Sequence, residues 1–360
     1  MMDIVSIITS ERVIKTEREL WQYLKTTSKP IVLYGMGNGA DKIIYALESF
    51  GITFEGVFAS DGFVRNKLFH GHKISTYNEL KQKFGDMIVL LCFGSSRLEV
   101  IENVLKISAE QELYAPEVPV ISGGLFTSEF YSKNKSDFDF VYNRLADEQS
   151  KKTFESLIKY KISGKIEYLL SCEVSEDEPY KSFLGLGKNE SFLDLGAYRG
   201  DTVVDFIKRQ GQYQSIIAVE PDKKNFKKLA ESVKGLSNIK TLNVGIGEFC
   251  EIKGFGMRSG RNSSTEGANT LIEFLSVDKI TETERISFIK ADIEGQEIEA
   301  LKGAQNTIKN LKPKMQIACY HKTDDLITIP KQVFTARDDY KLYIRHFRSL
   351  PAWDTNFYFC

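Results

Sequence analysis

Twice along this chain, short apolar runs alternate with amphipathic stretches of helical period, and that alternation permits little except an α/β architecture. In the first region IVLYG (31–35) reads as a buried strand. The stretch after it puts Ala40, Ile43, Ile44 and Leu47 on one helical face and stops at Gly51. Strands at 54–60 and 87–93 follow, with an amphipathic segment between them. This βαβαβ order predicts a small parallel sheet with helices on both faces. From Glu190 the alternation resumes: SFLDLG (191–196), a helix from Asp201 to Gln210, and SIIAVE (215–220). Next come a helix with Phe226, Leu229, Ala230 and Val233 turned inward, strands at 239–246, 286–293 and 314–320, and a helix at about 296–311. The last two runs, 340–347 and 355–360, are joined by a short link and predict an antiparallel hairpin at the sheet edge. Between the two regions Phe138, Val141, Tyr142 and Leu145 share a helical face, as do Phe154, Leu157 and Ile158. The expected division is an α/β unit over 1–124, a helical connector over 125–187 and a larger α/β unit over 188–360.

Composition narrows the function classes. At 360 residues the chain is long enough for two domains. A 42% hydrophobic, 27% charged balance excludes wholesale disorder. Net charge is -1, with 48 basic against 49 acidic side chains, which does not suit a nucleic-acid partner. The cluster Lys223, Lys224, Lys227 and Lys228 reads as a solvated helix face. The longest apolar run, Met87 to Phe93, is far short of the roughly 20 residues a membrane span needs. The first residues lack the basic-then-apolar order of a secretory leader. Five scattered cysteines, with no C-x-x-C pair, fit reduced thiols; a cytoplasmic location is expected.

Three features of the larger unit agree with one another. Asp194 to Thr202, DLGAYRGDT, joins a strand to a helix. Gly196 allows a sharp turn and Gly200 a close backbone approach to a ligand. Free amides at the helix start suit a carboxylate, and Asp194 suits an ammonium. Glu220 ends the next strand, 24 positions after Gly196, where a carboxylate accepts from both hydroxyls of a ribose. Asp292 and Glu294, in ADIEG (291–295), end a later strand on the same edge of the sheet. Each has a plainer explanation, as a tight turn, a surface acid or a helix cap, but the three lie in register along one sheet.

These residues resemble the FkbM-type family of S-adenosylmethionine-dependent methyltransferases, of class I. DLGAYRGDT and FIKADIEGQEIEALKGA (288–304) are similar to the family's two main motifs; SVDKI (276–280), YHKTDDLITIPKQV (320–333) and LYIRHF (342–347) resemble further segments. The resemblance covers about 145 to 360 and implies a Rossmann-like sheet with S-adenosylmethionine as cofactor. It implies that Asp194, Gly196, Tyr198, Gly200, Asp201 and Thr202 line the methionine end, that Glu220 holds the ribose, and that Pro221, Asp222 and Gly245 lie near the adenine. Asp292 borders the same cleft.

For a hydroxyl acceptor, a general base is needed. His321 follows the strand before it onto the active edge and is the preferred base, with Asp292 and Glu294 beside it. A divalent cation such as Mg²⁺ on Asp292, Glu294 and His321 is the less favoured alternative, and no metal site is assigned. His70 and His72 read as solvated loop residues. The polar loop 258–269 reads as a cover over the cleft. In the first unit, Gly35, Gly37 and Ala40 follow a strand in G-x-G-x-x-A order, with Asp61 as a ribose partner. That unit resembles the small Rossmann-like modules of sugar-modifying enzymes, as a nucleotide-sugar site or a scaffold.

The leading expectation is therefore an O-methyltransferase acting on a sugar, free or nucleotide-linked, or a related polar metabolite in glycan or natural-product biosynthesis. A nucleotide-sugar oxidoreductase using the first unit and a non-catalytic cofactor-binding scaffold are the alternatives. Exposed apolar residues on the first unit's helices would support a homodimer.

Overall fold

The structure, a computed structural model, describes residues 17–60, 68–121, 123–255 and 270–360. Six strands form the first sheet: β1 (Ile31–Tyr34), β2 (Gly56–Phe58), β3 (Leu68–Phe69), β4 (His72–Ser75), β5 (Ile88–Leu91) and β6 (Glu112–Tyr114), in the order β3-β4-β2-β1-β5-β6. Its pairings are parallel except that of β3 with β4. β1 and β5 are buried throughout, as continuous apolar runs covered on both faces should be. The three expected strands are present; β3, β4 and β6 are additional.

The second sheet has seven strands. β7 (Ser191–Leu195), β8 (Ser215–Val219) and β9 (Ile239–Leu242) lie side by side. The chain then builds a separate three-stranded sheet from β10 (Gly245–Ile246), β11 (Glu251–Phe255) and β12 (Thr270–Leu275). It returns as β13 (Phe288–Ala291), β14 (Lys314–Ala318), β15 (Leu342–His346) and β16 (Thr355–Phe359). The order β15-β16-β14-β13-β7-β8-β9 is parallel except at β14–β16 and β15–β16, so the expected C-terminal hairpin is there. From β7 the chain proceeds first to one side and then, from β13, to the other. The junction of β7 and β13 is thus the switch point at which open α/β sheets bind ligands.

Two expected elements differ in extent, and one residue differs in the face it shows. The run 239–246 is two strands in two sheets, because Gly245 pairs with Phe274 of β12 instead of continuing β9. The helix over 296–311 is two helices, Glu297–Lys302 and Gln305–Leu311, broken where Gly303 packs against the Gly247 carbonyl. Ala230 is exposed, not on the inner face of its helix.

Between the sheets in sequence lie, among the described residues, four α-helices, Ser128–Lys133, Lys135–Tyr142, Glu148–Ser163 and Glu167–Cys172, and a π-helical turn, Tyr180–Leu184. The third is capped by Asp147, whose carboxylate accepts from the Ser150 N–H, and ends at Gly164 in the left-handed conformation. Leu145 and Glu173 bridge to Leu342 and His346 of β15. One buried cluster runs unbroken from Val32 and Val89 through Phe138 and Phe154 to Leu193, Ile317 and Phe357. The segments after β5 and β6 meet the second unit directly. Ser95 and Leu350 exchange backbone hydrogen bonds of 2.8 and 3.0 Å, Trp353 packs on Gly94, and the N–H groups of Val120 and Ile121 donate to the His321 carbonyl. The C-terminal ends of both sheets therefore face a common region. Among the described residues, no helix is long and apolar enough to cross a membrane.

Candidate active site

The switch point carries a tightly wound turn. Gly196, Tyr198 and Gly200 all have positive φ, at 83°, 48° and 89°. A Cβ on Gly196 would lie 2.0 Å from the Asp292 carbonyl oxygen, so glycine is required where the end of β7 meets the end of β13. Tyr198 tolerates the conformation at some cost, the kind of local strain that concentrates at binding sites. Gly200 is the N-cap of helix Asp201–Gln210 and packs against Leu229 and Ser232. A Cβ there would crowd Leu229 and Ser232 at 3.2 Å, so glycine also serves helix packing.

Register brings the expected acids together. Asp194 pairs with Ala218 on one side and Lys290 on the other, so Glu220 and Asp292 flank Gly196 on adjacent strand ends. The Tyr198 N–H and Asp222 N–H each donate to the Glu220 carboxylate at 2.9 Å. Burial nevertheless pushes its pKa up to about 7 against those two donors. Asp194 is completely buried, and among the described residues neither carboxylate oxygen has a hydrogen-bond partner. Burial raises its pKa to about 6, opposed by the Lys290 ammonium 3.7 Å away. Asp222 caps the helix Lys223–Ser232, and Pro221 lies beside it. Asp201 and Thr202 open the helix after the turn. Gly245 is the exception to the expected set: its Cβ position is filled by the Phe274 ring, so it lies within β10 and not at the end of β9. Asn243 occupies that end, donating to the carbonyls of Glu220 and Pro221.

On the other side of the switch point, Asp292 is half-buried and accepts from the Tyr320 hydroxyl at 3.1 Å. Glu294, with φ 54°, is exposed. Neither caps the next helix; instead Glu297, buried, accepts from the N–H groups of Ile293 and Gly295 and pins the turn. His321 is only 1% exposed. Its Nε2 is 3.6 Å from Asp292 and 3.8 Å from Glu294, and its Nδ1 is 3.0 Å from Glu297. Burial works against a charge on the ring, but the carboxylates of Glu297, Asp292 and Glu294 outweigh it and raise the pKa to about 9. A buried ring that already holds its proton is poorly placed to take one from an acceptor, which departs from the role expected of His321. Asp325, also buried, accepts from the Lys322 N–H, and burial raises its pKa to about 7.

Lys290, Glu297, Tyr320 and Asp325 are members of this site that sequence reasoning did not single out. Lys290 had a readable signal: it stands two residues before Asp292 on one strand and so shares its face. Lys42, on the first unit's helix Asn38–Ser49, approaches the same region. Burial lowers its pKa, opposed by Glu294, and its ammonium donates to the carbonyls of Pro119 and Val120. The first unit's Gly35 and Gly37 have positive φ, as their motif requires, but the Phe93 ring fills the space beside Gly35. Asp61 and the loop 258–269 lie outside the described residues. His70 and His72 do not converge; His70 pairs with Asp41 and His72 packs on Phe54.

Residues 194–340 match the methyltransferase FkbM domain. The chain is similar in fold to a crystal structure of methyltransferase FkbM from Methylobacillus flagellatus KT, with a TM-score of 0.69 and 22% identity, covering 98% of this chain and 93% of that one. An rRNA methylase from Streptococcus thermophilus matches at 11% identity and a TM-score of 0.32, over 48% of this chain and 87% of that one. Fibrillarin from Aeropyrum pernix, with S-adenosyl-L-methionine natively bound, matches at 12% and 0.33, over 50% and 71%. No curated protein sequence matches significantly. The segment that matches the family begins at Asp194 and includes the turn, Glu220, Asp292 and His321. The chain thus carries, over residues 194–340, a segment that matches the methyltransferase FkbM domain.

Proposed function

We propose that this methyltransferase draws its methyl group from S-adenosylmethionine and places it on a hydroxyl of a sugar, free or nucleotide-linked, or of a related polar metabolite. The observation that carries the cofactor assignment is the strained turn 196–200 at the switch point, with Glu220 on one flank and Asp292 on the other. Asp194 is in keeping with the fit: its buried carboxylate has the Lys290 ammonium at 3.7 Å but no hydrogen-bond partner among the described residues, and a ligand ammonium would add a donor. In this reading Asp194, Gly196, Tyr198, Gly200, Asp201 and Thr202 hold the methionine end, Glu220 the ribose, and Pro221 and Asp222 the adenine side. When bound, S-adenosylmethionine supplies a methyl group already activated on sulfur.

The acceptor wall is polar and acidic. Asp292, Glu294 and the Tyr320 hydroxyl stand at the ends of β13 and β14, and carboxylates accept well from a polyhydroxyl ligand. Asp292 orients the attacking hydroxyl and takes its proton, held in place by Tyr320. His321 lies behind it as a positioning residue. The remaining work is alignment for an in-line displacement and exclusion of water.

The test is calorimetry with S-adenosylhomocysteine, followed by transfer of labelled methyl to a panel of sugars and nucleotide sugars. We expect binding that Glu220→Ala weakens at least tenfold and label on a carbohydrate hydroxyl. Absence of S-adenosylhomocysteine binding at millimolar ligand overturns the cofactor assignment; label found only on nitrogen or carbon overturns the acceptor class.

A further inference from the structure

Glu297 does more than hold a turn. It is 1% exposed, and so is His321 beside it. Its Oε1 accepts from the Ile293 N–H at 3.0 Å and the Gly295 N–H at 3.4 Å, and stands 3.0 Å from His321 Nδ1. Its Oε2 is buried and, among the described residues, has no hydrogen-bond partner. An ionised carboxylate enclosed in this way is costly unless a cation lies against it. Among the described residues, the basic side chain at ion-pair distance from Glu297 is His321. The other ring nitrogen looks the opposite way. Nε2 is 3.6 Å from Asp292 and 3.8 Å from Glu294, the two carboxylates that open to the cleft. The ring thus stands between one acid inside the protein and two at the wall.

We infer that Glu297 is a positioning residue: by holding His321 at Nδ1 it keeps the ring charged and turns Nε2 toward Asp292 and Glu294 on the acceptor wall. A ring held so has no lone pair to offer; it presents one N–H inward and one outward. Burial opposes the charge, and the three carboxylates overcome it. The remaining neighbours do not compete for the role. Asp325, from the following helix, is a further acid beside the ring. The nearby cations are already engaged, Lys161 with Glu117 and Lys42 with the carbonyls of Pro119 and Val120. The Tyr320 hydroxyl donates to Asp292, and the Val120 and Ile121 amides fix the His321 backbone. The wall therefore has a fixed cation behind its two carboxylates, which leaves proton removal to Asp292. That last consequence rests on the function proposed above; the hold of Glu297 on the ring does not.

The chain has four histidines, so labelling them with carbon-13 at Cε1 gives four ring signals to follow by NMR as pH is varied, on the full chain without ligand. We expect one ring, missing from His321→Gln, to stay protonated past about pH 8, and to titrate about one pH unit or more lower in Glu297→Gln. Glutamine keeps an oxygen for the two amides and removes the charge; far-UV circular dichroism checks its fold. Should Glu297→Gln not fold, the double variant Asp292→Asn, Glu294→Gln carries the test, because both positions open to the cleft. Its His321 stays protonated past about pH 7.5 if Glu297 holds the ring, and returns to the ordinary value of about 6.5 if the wall carboxylates do. A wild-type His321 that titrates near that ordinary value, an unmoved titration in folded Glu297→Gln, or the return in the double variant overturns the assignment. Calorimetry with S-adenosylhomocysteine on the wild-type sample separates the two proposals. Cofactor bound by a chain whose His321 is neutral sinks only the role of Glu297, and a charged His321 without cofactor binding sinks only the cofactor assignment.

Discussion

Under the proposed cofactor assignment, Glu220 couples burial to ligand binding. Its carboxyl, held near pH 7 by burial, must be ionised to accept from a ribose diol. Binding therefore favours the deprotonated form. Affinity for S-adenosylhomocysteine is expected to be flat above about pH 8 and to fall by up to tenfold per unit as pH drops below 7. In Glu220→Gln that dependence disappears, and calorimetry between pH 5.5 and 8.5 checks both outcomes. Gly196 is the other decisive residue. Alanine there meets the Asp292 carbonyl and adopts a φ of 83°, so Gly196→Ala should lose about 3 kcal/mol or more in denaturant unfolding. The positions of Asp194, Gly196 and Glu220 were legible because each sits at a readable place, on or just past a strand end. Glu297 was not. It reads as an ordinary acid in a first helical turn, and only the approach of His321, 24 positions later, makes it part of a buried cluster.

At the scale of elements, the antiparallel hairpin is tied to the helical segment by one guanidinium. Arg345 of β15 is 1% exposed and donates to both carboxylate oxygens of Asp147 and of Glu178, and also to Ser150 Oγ and the Ile344 carbonyl. This uses the planar fork in full, so a lysine does not replace it. Arg345→Ala leaves two carboxylates short of a partner and should destabilise by roughly 3 kcal/mol; Arg345→Lys should recover less than half of that. Urea unfolding of the three proteins checks the order. Two causes account for strands that pattern reading missed. β3 and β6 are two and three residues long, too short for a period to register. In β11 and β12 the outward positions Ile252 and Leu271 are apolar and exposed, which blurs the alternation of a half-buried strand.

Across the whole molecule, one buried cluster runs from the first sheet through the helical segment into the second. The first unit also supplies backbone donors to His321 and a glycine seat for Trp353. Such continuity predicts cooperative unfolding. Tryptophan fluorescence, from Trp21 in the first unit and Trp353 at the junction, should change at the same urea concentration as far-UV circular dichroism. Midpoints separated by more than about 0.5 M would mean that the units unfold independently.

Local pattern along the chain was enough for the α/β class, the mostly parallel second sheet with its antiparallel hairpin, and the acids placed at its strand ends. These follow from local information: apolar period, glycine at a turn, and an acid one residue past a strand. Only the folded chain shows that β7 and β13 are neighbours with Asp292 against Gly196, that Gly245 belongs to another sheet, and that His321 is enclosed by carboxylates beneath segments of the first unit. Each of those depends on which strands pair and which loops meet. That is set by burial summed over the whole chain, and no window of sequence contains it.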